Sequence, residues 1–341
     1  MVPIPRRSPL LILLGLFFLA LVLVVSWFLF IPPSNTATDK VVYIKKGTPL
    51  RRVAATLQQE GIIRNRHLFV GLATVLQKKR ELKAGEYELH TGMLPLEVLD
   101  TLVKGQVKHH LVTIPEGYTA HQIAELLEEL NIVEKQPFLE KITSPLLIQS
   151  LGLSQAAGST LEGYLFPETY HLIRGMEPEE VIRMMVHQFQ KNFDLEMGKR
   201  ASEIGLSEGE AVILASIIEK ETSLPEEKPL ISAVFHNRLR IKMPLQSDPT
   251  VIYGIKNFDG NLTREHLTLP TPYNTYLKIG LPPTPVCNPG KESLWAALHP
   301  APVPYLYFVS KNDGSHYFSF DIEDHNRAVS KYQKKNSLTK K

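Results

Sequence analysis

Leu10 to Ile31 is an unbroken apolar run with no charged residue and a single hydroxyl, Ser26. A helix of that length rises about 1.5 Å per residue to ~33 Å, enough for a hydrocarbon core of ~30 Å. Trp27 lies near one end, where an indole suits the lipid–water interface. Arg6 and Arg7 precede the run, and the first acidic residue is Asp39. The positive-inside rule therefore places residues 1–9 in the cytoplasm and everything after Pro32-Pro33 across the membrane. A cleaved signal peptide is the rival reading, but its apolar region is normally ~7–15 residues followed by a small-x-small site. Asn35-Thr36-Ala37-Thr38 serves that purpose poorly. The expectation is a retained transmembrane helix at 10–31, single-pass in the cell inner (plasma) membrane.

The 341 residues are 43% hydrophobic and 21% charged, which excludes a disordered polymer and suggests two or three domains. Cys287 is the single cysteine, so no disulfide framework exists within the chain. The net charge of +3 is too small to suggest nucleic acid as a partner, and five lysines fall at 331–341.

Residues 32–40, rich in Pro, Ser, Thr and Asn, read as a linker. An internal repeat follows. Val42, Ile44, Gly47, Ala54, Leu57 and Ile62 recur seventy positions later as Val112, Ile114, Gly117, Ala124, Leu127 and Ile132. Each copy reads as a strand, a glycine turn and an amphipathic helix. With a strand at Tyr87-Glu88-Leu89 and helical spacing from Leu96 to Val103, residues 41–108 form a small β/α module. Such a module either reads glycan or peptide, or only spaces the body from the membrane. The middle of the chain is helical, with starts at Pro178-Glu179-Glu180 and at a Ser207/Glu210 capping box. Proline-rich loops begin at Pro244. Asn312-Asp313-Gly314 between two aromatic runs signals a hairpin, and a last helix leads into a basic tail at 333–341. The fold class is α+β.

No H-E-x-x-H, C-x-x-C or P-loop occurs, and the twelve histidines are scattered. Neither a metal nor a cofactor is expected. The informative stretch is Ser207 to Thr222. Projected at 100° per residue, Ala211, Leu214, Ile217 and Ile218 form one stripe, with Glu221 about 20° from its centre and Glu219 and Lys220 well away. A carboxyl on an apolar face loses solvation, so its protonated form becomes available near neutrality, as a general acid requires. A glutamate satisfied at a helix end is the plainer alternative.

Ala215-Ser216-Ile217-Ile218-Glu219-Lys220-Glu221-Thr222 resembles the signature of the YceG-like endolytic murein transglycosylases. Val234-Phe235-His236-Asn237-Arg238-Leu239, Leu245-Gln246-Ser247-Asp248-Pro249-Thr250, Tyr273-Asn274-Thr275-Tyr276, Gly280-Leu281-Pro282-Pro283 and Pro304-Tyr305-Leu306-Tyr307-Phe308-Val309 resemble that family's further segments in the same order. The resemblance implies a LysM-like module at 41–108, a catalytic domain at 109–332 and Glu221 as the catalytic acid. It also implies a lyase that cuts the MurNAc-β-1,4-GlcNAc bond of nascent peptidoglycan strands without water, leaves 1,6-anhydro ends and terminates glycan polymerisation. A bifunctional or SEDS-type cell-wall synthase is the partner it suggests. The alternatives are a catalytically inactive scaffold that binds glycan and recruits synthases, and a hydrolase of the same bond.

Gln246, Tyr273, Asn274 and Tyr276 are candidates for gripping sugar, since amides bond hydroxyl and acetamido groups while aromatic rings cover apolar sugar faces. Ser247-Asp248-Pro249 reads as a helix cap with proline in the first turn, giving Asp248 a structural role. Arg238 either meets an anionic lactyl or peptide group or, the simpler reading, pairs with a carboxylate, and Cys287 reads as inert.

Overall fold

The computed structural model describes residues 9–153 and 159–334. Residues 1–8 and 335–341, which hold most of the expected tails, lie outside the described residues. The chain is α+β, about half helical, with three two-stranded sheets among the described residues. It divides into two compact units, one of residues 1–110 and 171–175, the other of residues 111–170 and 176–341.

The smaller unit begins with helix α1 (Pro9–Phe30). Among the described residues this is the one helix long and apolar enough to cross a membrane, with a mean hydropathy of 2.9 over Leu10–Phe30. From Leu10 to Val25 its side chains are exposed; in its last turn Phe28 is buried and the Arg64 guanidinium lies 4.5 Å from the Trp27 ring centre. The expected linker is fastened to one threonine. Ser34 N–H donates to Thr91 O, the Thr91 hydroxyl to Thr36 O, and Thr38 N–H to the Thr91 hydroxyl.

Strand β1 (Asp39–Ile44) pairs antiparallel with β2 (Gly85–His90), Val42 opposite Tyr87. Between them run α2 (Leu50–Gln59) and α3 (Arg66–Val75), and α4 (Pro95–Lys104) follows β2. Alternation on the strands and 3.6-residue spacing on the helices bring Val42, Ile44, Val53, Leu57, Phe69, Tyr87, Leu89, Val98 and Leu102 into one core. Asn65 caps α3 by accepting from His67 and Leu68 N–H.

After β3 (His110–Thr113), which runs from the last residue of the smaller unit into the larger, come α5 (Ala120–Glu129), α6 (Lys135–Ile142), α7 (Pro145–Ser150) and β4 (Thr169–Leu172), whose last two residues belong to the smaller unit; β3 pairs with β4. Helices α8 (Pro178–Asn192), α9 (Leu195–Glu203), α10 (Glu208–Glu221) and α11 (Lys228–Arg240) follow, then short α12 (Asp248–Tyr253) and, after a long loop, α13 (Lys291–Leu298). Strands β5 (Tyr307–Ser310) and β6 (His316–Ser319) pair antiparallel, with Tyr307 opposite Ser319, and α14 (Ile322–Val329) closes the unit.

Helix α10 differs from the expected one-sided stripe. Every residue from Ala211 to Ile218 is buried, so the helix is wrapped on all sides. Ser207 does form the capping box, accepting from Glu210 N–H while Glu210 accepts from Ser207 N–H. Gly205-Leu206-Ser207-Glu208-Gly209 also has the spacing of a nucleophile elbow, but its serine is committed to this cap at the helix entrance.

Candidate active site

Helix α10 stops at Glu221 because Thr222 turns to extended backbone. The last side chain of this buried helix thereby reaches a cleft of about 470 Å³, bounded also by Arg238, Gln246, Asp248, Tyr276, Tyr307 and His325. The Ser247 hydroxyl donates to Glu221 Oε1 at 2.5 Å. Burial pushes the Glu221 carboxyl up to about 7, and nearby Asp248 adds to the rise, while the Ser247 hydrogen bond and Arg238 pull the other way. The carboxyl thus keeps a substantial protonated fraction at neutrality and has a donor in place for the moment it ionises.

Ser247 stands where a cap is expected, before α12, yet its hydroxyl makes no capping bond. It is aimed at Glu221 by what lies around it. Ser247 N–H donates to the Thr275 hydroxyl, Gln246 N–H to Thr275 O, and the Thr250 and Thr275 hydroxyls meet at 2.8 Å. Gln246 adopts φ +52°, a left-handed conformation that costs a non-glycine residue energy and is held here by those bonds. Asp248, expected as structural, also lines the cleft and accepts from the Tyr276 hydroxyl at 2.6 Å.

Of the four residues expected to grip sugar, Gln246 and Tyr276 join Glu221 at the cleft. Asn274 is fully buried, its amide donating to Leu267 O and Leu269 O and accepting from Tyr276 N–H, so it shapes the loop that carries Tyr276. The Tyr273 hydroxyl meets Thr284, and its ring packs edge-on against Tyr253.

Arg238 departs from its expected carboxylate partner. Its Nε donates to Leu306 O and its Nη1 to Leu245 O, both at 2.7 Å, tying β5 to the segment before Gln246. Phe308 packs edge-on against Phe235 of α11, which fixes the same strand beside the cleft. Cys287 is buried, donates to Ser216 O, and has its thiol pushed up by burial, which makes it unreactive.

Glu219, two residues before Glu221, is a different kind of group. It pairs with Lys228 at 3.3 Å, both side chains nearly fully buried, and accepts from Gly290 N–H and the Ser293 hydroxyl at the start of α13. The helix projection set it away from the core, but neighbouring elements enclose that face too. A further buried carboxyl, Glu162, has no counterpart in the sequence reading. It accepts from Ala120 N–H, the Tyr253 hydroxyl and Asn288 Nδ2, and burial pushes it up to about 7.

The YceG-like family model matches residues 42–331. The chain is 30% identical over 317 residues to the endolytic murein transglycosylase of Bacillus subtilis (strain 168), which covers 87% of this chain and 86% of that protein. The endolytic murein transglycosylase of Streptococcus pneumoniae (strain ATCC BAA-255 / R6) is 30% identical over 328 residues, 88% of this chain, and the chain spans 59% of that longer protein. A 2.6 Å crystal structure of a YceG-like protein from Listeria monocytogenes aligns with a TM-score of 0.58 at 31% identity, covering 86% of this chain and 99% of that one. A match running from β1 to the end of α14 means that this chain belongs to the YceG-like family.

Proposed function

We propose that the protein is a membrane-anchored lytic transglycosylase, a lyase acting on peptidoglycan, with Glu221 as its acid and base. The observation that carries this reading is the Glu221 carboxyl at the wall of an open cleft, held by one hydroxyl donor and raised by burial so that it titrates near neutrality. Glu221 gives its proton to the glycosidic oxygen as the bond from muramic C1 breaks. The resulting carboxylate, stabilised by Ser247, then takes the proton from the C6 hydroxyl of the same muramic residue. That oxygen closes on C1 to give the 1,6-anhydro end. Because the nucleophile is part of the substrate, its effective concentration does the work of an activated water.

Gln246 and Tyr276 are the groups that would contact sugar, while Asn274 and Tyr273 hold the loop that presents Tyr276. Asp248 supplies the one specific reason to consider hydrolysis, since a second carboxyl at the cleft could activate water. Its tight bond from Tyr276 supports a positioning role instead. Mass spectrometry of products from uncross-linked glycan separates the two. Anhydro ends, one water lighter than reducing ends, are expected, and reducing ends alone would contradict the lyase.

In the same reading α1 holds the protein in the inner membrane with residues 1–9 cytoplasmic, and the catalytic domain, 109–332, is extracytoplasmic. The β/α module at 41–108 is LysM-like, and β5 and β6 form the expected hairpin. Glycan strands grow from lipid carriers at that membrane face, so a tethered lyase meets them near their origin, as termination of polymerisation and contact with a synthase require.

A further inference from the structure

The repeat visible in the sequence extends much further in the structure. In α2 the buried residues are Leu50, Val53, Ala54 and Leu57; in α5 they are Ala120, Ile123, Ala124 and Leu127, each seventy positions on. After each helix the chain passes through positive φ, at Gly61 and Asn131, and Ile62 and Ile132 N–H return to Leu57 O and Leu127 O, both at 2.9 Å. The second halves match at an offset of 83. Tyr87 and Tyr170 are buried strand tyrosines whose hydroxyls donate to the carbonyl four residues earlier, at 2.7 and 2.6 Å. Gly92-Met93-Leu94-Pro95-Leu96-Glu97-Val98, which opens α4, is matched by Gly175-Met176-Glu177-Pro178-Glu179-Glu180-Val181, which opens α8. The offset changes between α6 and β4, the stretch that holds Glu162.

The two copies treat the same turn differently. At Gly47 (φ +80°) a Cβ would meet nothing within 4 Å, and Thr48 folds back on Lys45 O through both its N–H and its hydroxyl. At Gly117 (φ +75°) the turn is occupied by the chain's own loop. Gly117 N–H donates to Asn288 O, Asn288 N–H donates to Tyr118 O, and Lys220 Nζ donates to Gly117 O. The Asn288 side chain donates to Tyr118 O and Glu162, and accepts from Gly163 and Leu165 N–H. Next to it, Val286 N–H donates to the Ser216 hydroxyl of α10. α5 is capped by Thr119, with Glu162 accepting from Ala120 N–H as well, where α2 has no side-chain cap; Glu162 also receives the Tyr253 hydroxyl at the last residue of α12.

We propose that residues 110–192 are a second copy of the membrane-proximal module, converted into a bracket that positions Glu221 and Ser247. Its β–α turn holds α10, which ends in Glu221, and its Glu162 holds α12, whose N-cap position is Ser247. Gly117, Asn288, Glu162 and Tyr253 are positioning residues. Substrate contact is left to the cleft. This inference rests on the reading of Glu221 as the acid.

The test uses a matched pair in the full-length protein in detergent micelles. Gly47→Ala and Gly117→Ala introduce the same strain into equivalent turns. Release of anhydro products should fall about tenfold in kcat for Gly117→Ala with KM within about twofold, whereas Gly47→Ala should keep kcat within about twofold. The alkaline limb of the rate should also move upward in Gly117→Ala, because a retreating Ser247 releases its downward pull on Glu221; Arg238, Asp248 and Tyr276, the other groups facing Glu221, are untouched. Tyr253→Phe removes one hydroxyl from the bracket and serves as the milder variant, expected to move kcat and the limb in the same directions. Equal kcat and equal limbs in the two glycine variants, with Tyr253→Phe like wild type, would overturn the proposal. Amide hydrogen exchange separates this from failure of the activity itself. Faster exchange in α10 and α12 of Gly117→Ala but not of Gly47→Ala is expected whatever product forms, and no difference between the two would overturn the bracket.

Discussion

Burial pushes two carboxyls of the larger unit up to about 7, Glu221 at the cleft and Glu162 beneath the start of α5. Glu162 is enclosed by donors from Ala120, Tyr253 and Asn288, so its oxygens are all employed within the protein. Glu221 receives one hydroxyl and lines an open cleft with Arg238, Asp248 and Tyr276. Loss of water therefore raises a carboxyl wherever it occurs, and what suits Glu221 rather than Glu162 to the proposed role is its place at a cleft open to something outside the fold. Glu219 completes the contrast: buried as well, it is matched by Lys228 and has no place at the cleft.

The largest expected separation comes from isosteric replacement of the two raised carboxyls. Glu221→Gln should lower product release by about 10²–10⁴-fold, the usual worth of a general acid, with thermal unfolding close to wild type. Glu162→Gln puts an amide N–H where an acceptor is needed, so its main cost is stability, about 1–3 kcal/mol, with a much smaller loss of rate. Thermal unfolding beside product assays reads both. Glu162 also sets a pH signature. Its folded-state value lies above the unfolded one, so the stability it contributes is present at low pH and is lost as pH rises through about 7. In Glu162→Gln that part of the decline should vanish.

Glu219→Ala should strand the Lys228 ammonium in the core and cost about 3–5 kcal/mol, read as a lower denaturant midpoint. A loss below 1 kcal/mol would show that this glutamate is not the structural counterpart of Glu221. Ser247→Ala should reduce kcat about tenfold by removing the donor to the carboxylate, and should move the alkaline limb upward. Asp248→Asn gives the smallest effect and the opposite sign: with a neighbouring negative charge gone, the limb should move downward. Shifts in the same direction from these adjacent residues would break the electrostatic picture of the cleft.

Much of this contrast was legible in the sequence, though not always for the right reason. Glu221 was singled out by an apolar stripe, but α10 is buried all round, and Glu221 matters because its helix ends at the cleft wall. The stripe persuades because the projection sees one helix and not the α13 and α11 residues that also enclose Glu219. Ser247 reads as a cap from its neighbours in the chain; its partner is 26 residues away. Arg238 and Asn274 are spent on backbone carbonyls, a use that no side-chain pattern signals. Glu162 left no trace because its partners lie 42, 91 and 126 residues away and its segment has no period. The repeat, by contrast, was visible wherever apolar spacing recurred, and ended where the offset changed.

The central claim is that Glu221 works as a protonated acid, and the pH dependence of kcat/KM for anhydro-product release tests it most directly. The rate should hold below neutrality and fall as pH rises through about 7, where Glu221 loses its proton. A fall centred near ~4.3, the value of an ordinary solvated glutamate, would contradict it.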